Sequence, residues 1–332
     1  MKTILRRRRA QTPKSYPLGP TRTSTLAVDG EHRLHIQAYG NPTGAPVLFL
    51  HGGPGSGCHD GHKRLFDARR WHVLFMDQRG SGRSQYQDLY RNNTTQHLIH
   101  DIETLRQHHG IDKWTLVGGS WGATLALAYA IAYPQHVRGL VLRSLFLASK
   151  ADTRWAFYSA AQRFRPDLWD DLRGTLDRRD DSDDPIATLQ GMLKSPQAET
   201  RERAAHIWAR YEHVLSSLDV APPYFPTQNT SKKCPRTPFL ESHYMAHDFF
   251  LPPNHIIDNV ARLRCLDALF ISGRYDLLCP PEPIYRLQQA WGEKCTLRFV
   301  ETAAHQAEAP AMRAALTRAI DDAYCWGTDV PE

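Results

Sequence analysis

The chain has 332 residues, 41% apolar and 23% charged, enough to bury one large core with an inserted segment. Its formal charge of +6 is concentrated partly in Arg6-Arg7-Arg8-Arg9, and no basic repeat with interleaved aromatics follows, which argues against a nucleic-acid partner. No apolar h-region follows that basic start and no run approaches the roughly 18 apolar residues of a membrane span, so the expectation is a cytoplasmic protein without a membrane partner.

Residues 1–20 are basic, proline-containing and aperiodic, and read as a loosely held tail. Order begins near Ser24. Ser24 to Val28 and His32 to Tyr39 alternate as two antiparallel strands joined at Asp29-Gly30. Val47 to Leu50 is a continuous apolar run suited to a strand covered on both faces, and it ends in His51-Gly52-Gly53-Pro54-Gly55. Consecutive glycines after a strand are either a flexible turn or a backbone built to approach a ligand and present its N–H groups. Trp71 to Met76 is a second buried-type strand, followed by the polar loop Asp77-Gln78-Arg79-Gly80-Ser81-Gly82-Arg83-Ser84. From Thr94 to His109, Leu98, Ile102 and Leu105 share one helical face, and Gly110 is a stop.

The next element organises the chain. An apolar strand, Trp114 to Val117, enters Gly118-Gly119-Ser120-Trp121-Gly122, and an Ala/Leu-rich helix, Ala123 to Tyr133, leaves it. A bare G-x-S-x-G is often a glycine turn with an incidental serine, but strand, turn and helix in this order fit a nucleophile elbow. Val137 to Leu147 is another strand. Between 149 and 252 charges, tryptophans and tyrosines dominate without a buried-strand run, which reads as a helical insertion; the acidic stretch ending at Pro185 and the proline-rich stretch Pro222 to Pro238 read as loops. The α/β rhythm then returns with a strand at Ala268 to Ser272, a helix at Pro281 to Trp291, and a strand at Thr296 to Val300 leading to His305. Strands alternating with helices predict a mostly parallel, doubly wound sheet, whose ligands bind beyond the carboxyl ends of the strands.

A serine hydroxyl needs a base to take its proton and an acid to hold that base. Asp276, in Gly273-Arg274-Tyr275-Asp276, and His305 each follow a strand, and the order Ser120, Asp276, His305 is that of the α/β-hydrolases. The oxyanion donors are then the backbone N–H groups of Trp121 and Gly53. Six scattered cysteines form no C-x-x-C pair, so they read as free thiols. His59/His62, His97/His100 and His108/His109 lack a supporting carboxylate pattern, so no metal is expected.

These motifs, with Cys279-Pro280 after Asp276, closely resemble the prolyl aminopeptidases (proline iminopeptidases) of the α/β-hydrolase superfamily. The resemblance runs from about Pro17 to the end of the chain. It implies removal of N-terminal proline from peptides through an acyl-enzyme on Ser120, with no cofactor, and a core domain of residues 21–148 and 253–332 with a helical cap domain of residues 149–252. Trp208-Ala209-Arg210-Tyr211-Glu212 and Glu241-Ser242-His243-Tyr244 resemble the two segments that carry the family's amine-binding glutamates. Phe146 resembles its proline-ring contact, Trp155 or Tyr158 is expected to complete the apolar pocket, and Cys279 is expected at the active-site rim. Ala303-Ala304 replaces a more glycine-rich approach to the histidine. The alternatives are an esterase or amidase of the same fold acting on small non-peptide substrates and, from another class, a binding protein on a hydrolase scaffold.

Overall fold

A computed structural model describes residues 16–177, 184–225 and 234–326. The basic run Arg6–Arg9, most of the acidic stretch and part of the proline-rich stretch lie outside these residues. The strands are β1 (Thr21–Ala27), β2 (His32–Gly40), β3 (Ala45–Leu50), β4 (Trp71–Asp77), β5 (Gln85–Tyr86), β6 (Trp114–Ser120), β7 (Val137–Leu145), β8 (Asp267–Gly273) and β9 (Cys295–Val300). They form one sheet in the order β1-β2-β4-β3-β6-β7-β8-β9, with β5 beside β2. Strands β4, β3, β6, β7, β8 and β9 are parallel, while β1 and β2 run antiparallel as the Asp29-Gly30 turn predicts.

The helices are α1 (Asp60–Lys63), α2 (Thr95–His108), α3 (Trp121–Ala132), α4 (Lys150–Arg154), α5 (Ala160–Phe164), α6 (Pro166–Thr175), α7 (Pro185–Leu193), α8 (Ala198–Ser216), α9 (Thr237–Ala246), α10 (His255–Asp258), α11 (Pro281–Trp291) and α12 (Pro310–Ala323). Both faces of the sheet are covered. One carries the buried apolar residues of α2, α3 and α11, and the other those of α12. This explains why β3 and β4 read as unbroken apolar runs rather than alternating ones. Asp184, at the edge of the acidic stretch, accepts the Ile186 and Ala187 N–H groups as the cap of α7. No helix among the described residues is long and apolar enough to cross a membrane.

The helices from α4 to α9 carry an apolar cluster of their own, with Leu168, Leu172, Leu189, Trp208, Tyr211 and Val214 all buried. The sheet order places the site beneath them. The chain leaves β3 for β4 on one side and returns to β6 on the other, so the glycine loop after β3 and the turn after β6 diverge around a crevice at the carboxyl edge.

Candidate active site

Ser120 ends β6 with φ 55° and ψ −126°, a conformation an L-residue adopts only under constraint. The constraint is close packing of strand on helix. A Cβ on Gly118 would meet the Gly122 carbonyl, and one on Gly122 would land on the carbonyl of Leu50 in β3. With no side chain at either position, α3 starts directly over the sheet and Ser120 is driven out into a cavity of about 390 Å³.

His305 reaches that cavity from the loop after β9, and Asp276, on the loop after β8, is buried behind it. His305 Nδ1 lies 2.9 Å from Asp276 Oδ2 and 3.1 Å from Oδ1. The remaining lone pairs of Oδ1 accept the Leu278 and Cys279 N–H groups at 3.0 and 2.8 Å. Burial alone would push the Asp276 carboxyl up, but the charge and hydrogen bond of His305, with the Cys279 N–H, outweigh it and hold the group below its usual range. An acid that stays ionised while buried favours the His305 tautomer with its proton on Nδ1, which leaves Nε2 free to accept. The alanines before His305 do not loosen the loop: Ala303 donates to Val300 O and accepts from Tyr275 N, and the Arg143 guanidinium donates to the His305 carbonyl.

The glycine loop is shaped by the polar loop after β4. Gln78 donates to the His51 carbonyl at 2.9 Å and accepts the Trp121 indole N–H at 2.9 Å, so one side chain ties the glycine loop to the first residue of α3. Asp77 accepts from Cys58 N and Arg83 N, and buried Arg79 grips Asp101 of α2 through two bonds of 2.6 and 2.7 Å. Gly53, at φ 107°, borders the cavity. Trp121 follows Ser120 as the first residue of α3.

Across the cavity from these core loops, α8 and α9 bring Glu212 and Glu241 together. The two carboxyl groups lie within hydrogen-bonding reach of each other, and Trp208 Nε1, one turn before Glu212, donates to Glu241 Oε2 at 3.0 Å. Burial pushes Glu212 up to about 7, and pushes Glu241 well above the carboxylate range with the Glu212 charge adding to it. The apolar wall consists of Phe146, Ala156, Phe157, Phe249 and Leu278.

Two expected pocket residues are elsewhere. Trp155 donates its indole N–H to Leu277 O and packs on Phe164, and Tyr158 donates to Asp184 and packs near Trp169. Residues Trp155–Ser159 form a π-helical turn, which rotates Ala156 and Phe157 toward the cavity instead. Phe249, unforeseen from the sequence, is set by Asp248, Phe249 and Phe250 at φ 48°, 55° and 52°, three successive left-handed residues. Its ring lies 4.9 Å from that of Phe146. Cys279 is buried on the cavity wall, its Sγ within 4.8 Å of donor atoms of Asp276 and His305; burial, then the Asp276 charge, raises its thiol well above the ordinary range.

His59 and His62, which lack a metal-binding carboxylate pattern in the sequence, have Glu308 beside them in space, with donor atoms within 4.8 Å of one another. The Nδ1 atoms of both rings already accept backbone N–H groups, from Gly61 and His59. A metal would have to take the ring nitrogens that carry the protons in that tautomer, so these residues are poorly disposed as ligands.

Residues 45–306 match the model of the alpha/beta hydrolase fold. The chain belongs to that family. Within it, this α/β-hydrolase is 34% identical to a proline iminopeptidase of Arabidopsis thaliana, over 90% of this chain and 79% of the relative. It is 35% identical to one of Xylella fastidiosa (strain 9a5c), over 92% and 98%, and 34% identical to one of Neisseria meningitidis serogroup B, over 91% and 96%. At such identity and coverage the chain is a member of the proline iminopeptidase group. Solved structures agree at the level of fold: a carboxylesterase of Nitrososphaera gargenis (TM-score 0.59, 16% identity, 90% of this chain and 98% of that one) and a proline iminopeptidase-related protein of Thermus thermophilus (TM-score 0.54, 21% identity, 92% and 97%).

Proposed function

We propose that this α/β-hydrolase is a serine exopeptidase that releases N-terminal proline from peptides. The observation that carries the reading is the placement of two carboxyl groups, Glu212 and Glu241, in the same cavity as Ser120 and His305. A cationic N-terminal amine held there stops the chain one residue from the nucleophile, so only the first peptide bond can react. Phe146, Phe157 and Phe249 give the pyrrolidine ring an apolar wall. The helical segment of residues 149–252 acts as the cap domain that supplies the amine site, over a core of residues 21–148 and 253–332.

In the reaction, His305 Nε2 takes the Ser120 proton as the hydroxyl oxygen attacks the prolyl carbonyl. Asp276 stabilises the imidazolium, and the N–H groups of Trp121 and Gly53 receive the developing oxyanion. His305 then gives the proton to the departing amine, and water releases proline from the acyl-enzyme by the same route. Six unpaired thiols support a reducing, cytoplasmic setting.

The experiment compares three substrates: a prolyl amide, its N-acetylated form and a small activated ester. Efficient cleavage of the free prolyl amide, strong protection by acetylation and activity on the ester are expected. Equal cleavage of the acetylated and free amides would replace the aminopeptidase reading with an esterase or amidase.

A further inference from the structure

Glu212 and Glu241 are usually expected to act alike, as two carboxylates facing one cation. Their surroundings are unlike. Glu241 is buried, on α9, and its Oε2 is occupied by Trp208 Nε1. Glu212, on α8, is half-buried and lies open to the cavity. Among the described residues neither makes an ion pair, and the charged and titratable groups around them are otherwise engaged. On α8, Tyr211 donates to Phe157 O and His213 is exposed; on α9, His243 contacts Asn93 O. From the core, Arg143 is bonded to the His305 carbonyl, His305 is paired with Asp276, and Cys279 holds its proton. The remaining ionisable group at the cavity, His59, His62 and Glu308, is internally associated, and His51 bonds to Gly52 O and Gln78 N.

Two touching carboxyl groups without a cation share a proton, because both cannot ionise in contact. We propose that Glu241 is a neutral carboxylic acid that donates its proton to Glu212, so that the amine site carries one negative charge, on Glu212, before and after the substrate binds. The deeper group keeps the proton because ionising it costs more desolvation. A single charge is also the right number. One ammonium against one carboxylate leaves a neutral, buried complex, whereas two carboxylates would leave a buried net charge. This rests on the reading of the pair as the amine site.

The inference makes the two glutamates unequal under the same substitution. Glutamine at 241 reproduces the protonated acid: its carbonyl accepts from Trp208 Nε1, and its amide N–H donates to Glu212. Glutamine at 212 removes the only charge. Proton counting follows from the same assignment. Above pH about 7 the pair already carries one charge and the cation binds without releasing a proton. Below it the pair is doubly protonated, and one proton must leave for each amine bound, so affinity falls toward tenfold per pH unit.

The test uses a prolyl amide as ligand and the full chain carrying Ser120→Ala, which binds without turnover. Calorimetry at pH 6 and pH 8, in two buffers of different ionisation enthalpy, gives affinity and protons released. On that background Glu212→Gln is expected to weaken binding at pH 8 by roughly 30-fold or more, and Glu241→Gln by less than about 5-fold. Proton release should approach one at pH 6 and zero at pH 8. A third variant, Glu241→Leu, deletes the donor to Glu212 and should raise the pH at which binding is half lost, a shift that a merely space-filling Glu241 would not produce. Equal losses from the two glutamine variants, or a proton released at pH 8, would overturn the proposal while leaving the amine site where it is. Unchanged binding in both glutamine variants would remove the amine-site reading and the proposal with it.

Discussion

A buried thiol next to Asp276 invites the idea that it takes part in the proposed chemistry, and Cys279 tests how environment decides reactivity. Its proton is held by burial and by the negative charge of Asp276, so the thiolate that reagents require is scarce at neutral pH. Alkylation by iodoacetamide should therefore be slow at pH 7 and faster as pH rises, with activity lost in step because the adduct fills the cavity wall. Cys279→Ser should keep activity and resist the reagent; a Cys279→Ser protein as inactive as Ser120→Ala would make sulfur a participant. Ser120, Asp276 and His305 were legible because each sits at a strand end, where a turn signal and a reactive type coincide. Glu212 and Glu241 were legible only through family resemblance, since nothing in a helix sequence says which exposed-type residue another helix will bury. The apolar wall was legible in part. Phe146 follows β7 directly, but the π turn at Trp155–Ser159 exchanged Tyr158 for Phe157, and no local rule calls for the left-handed residues that aim Phe249.

At the scale of elements, the loop after β4 shows how a site is held by groups outside the cavity lining. Arg79, wholly buried, joins that loop to Asp101 on α2 and Asp29 at the β1–β2 turn. Asp101→Asn weakens two charge-assisted bonds to the buried guanidinium but leaves Asp29 paired with it, so it should cost about 1–3 kcal/mol, read as a lower urea midpoint at unchanged slope. A loss below about 1 kcal/mol would mean that water reaches Arg79 and the pair is not a fastener. The sequence pattern located every strand but β5, and the helices α2, α3 and α11, to within a few residues, since covered strands and one-faced helices leave distinct periods, and it gave α4 to α9 only as one helical segment. The short elements β5, α1 and α10 escaped it, as did α12. β5 is two residues long, too short to carry a period. α12 does carry one, with Met312, Leu316, Ala319, Ile320 and Ala323 buried on one face, but its alanines dilute the apolar contrast.

For the whole molecule, the carboxyl groups at the site set opposite demands on pH. Glu212 has a folded pKa of about 7, above its ordinary value, so its contribution to stability is complete below about pH 4.5 and is lost as pH rises through 7. Asp276 is shifted down, so its contribution is present above its ordinary pKa near 4 and lost in stronger acid. Stability should therefore fall as pH rises from about 5 through 7, with a loss on the order of 1 kcal/mol between pH 6 and pH 8 if Glu212 ionises without compensation. The melting temperature at the two pH values measures this. Glu212→Gln should flatten the slope, and a slope unchanged by that substitution would assign it to other groups. Binding of a cationic amine runs the other way, since the ligand needs the charge that the empty fold resists. Substrate should thus protect the protein from heat more at pH 8 than at pH 6.

The three left-handed residues before Leu251 amount to a short turn of mirror-image helix, held by the Thr95 hydroxyl on the Phe249 carbonyl and the Gln96 amide on that of Phe250. Chirality makes such a turn costly for L-residues, by roughly 1–2 kcal/mol each, and the same backbone would be ordinary for their enantiomers. In a chain assembled by chemical ligation, D-aspartate at position 248 would sit in its own preferred well, and the turn that presents Phe249 would become a source of rigidity instead of a cost met by its neighbours.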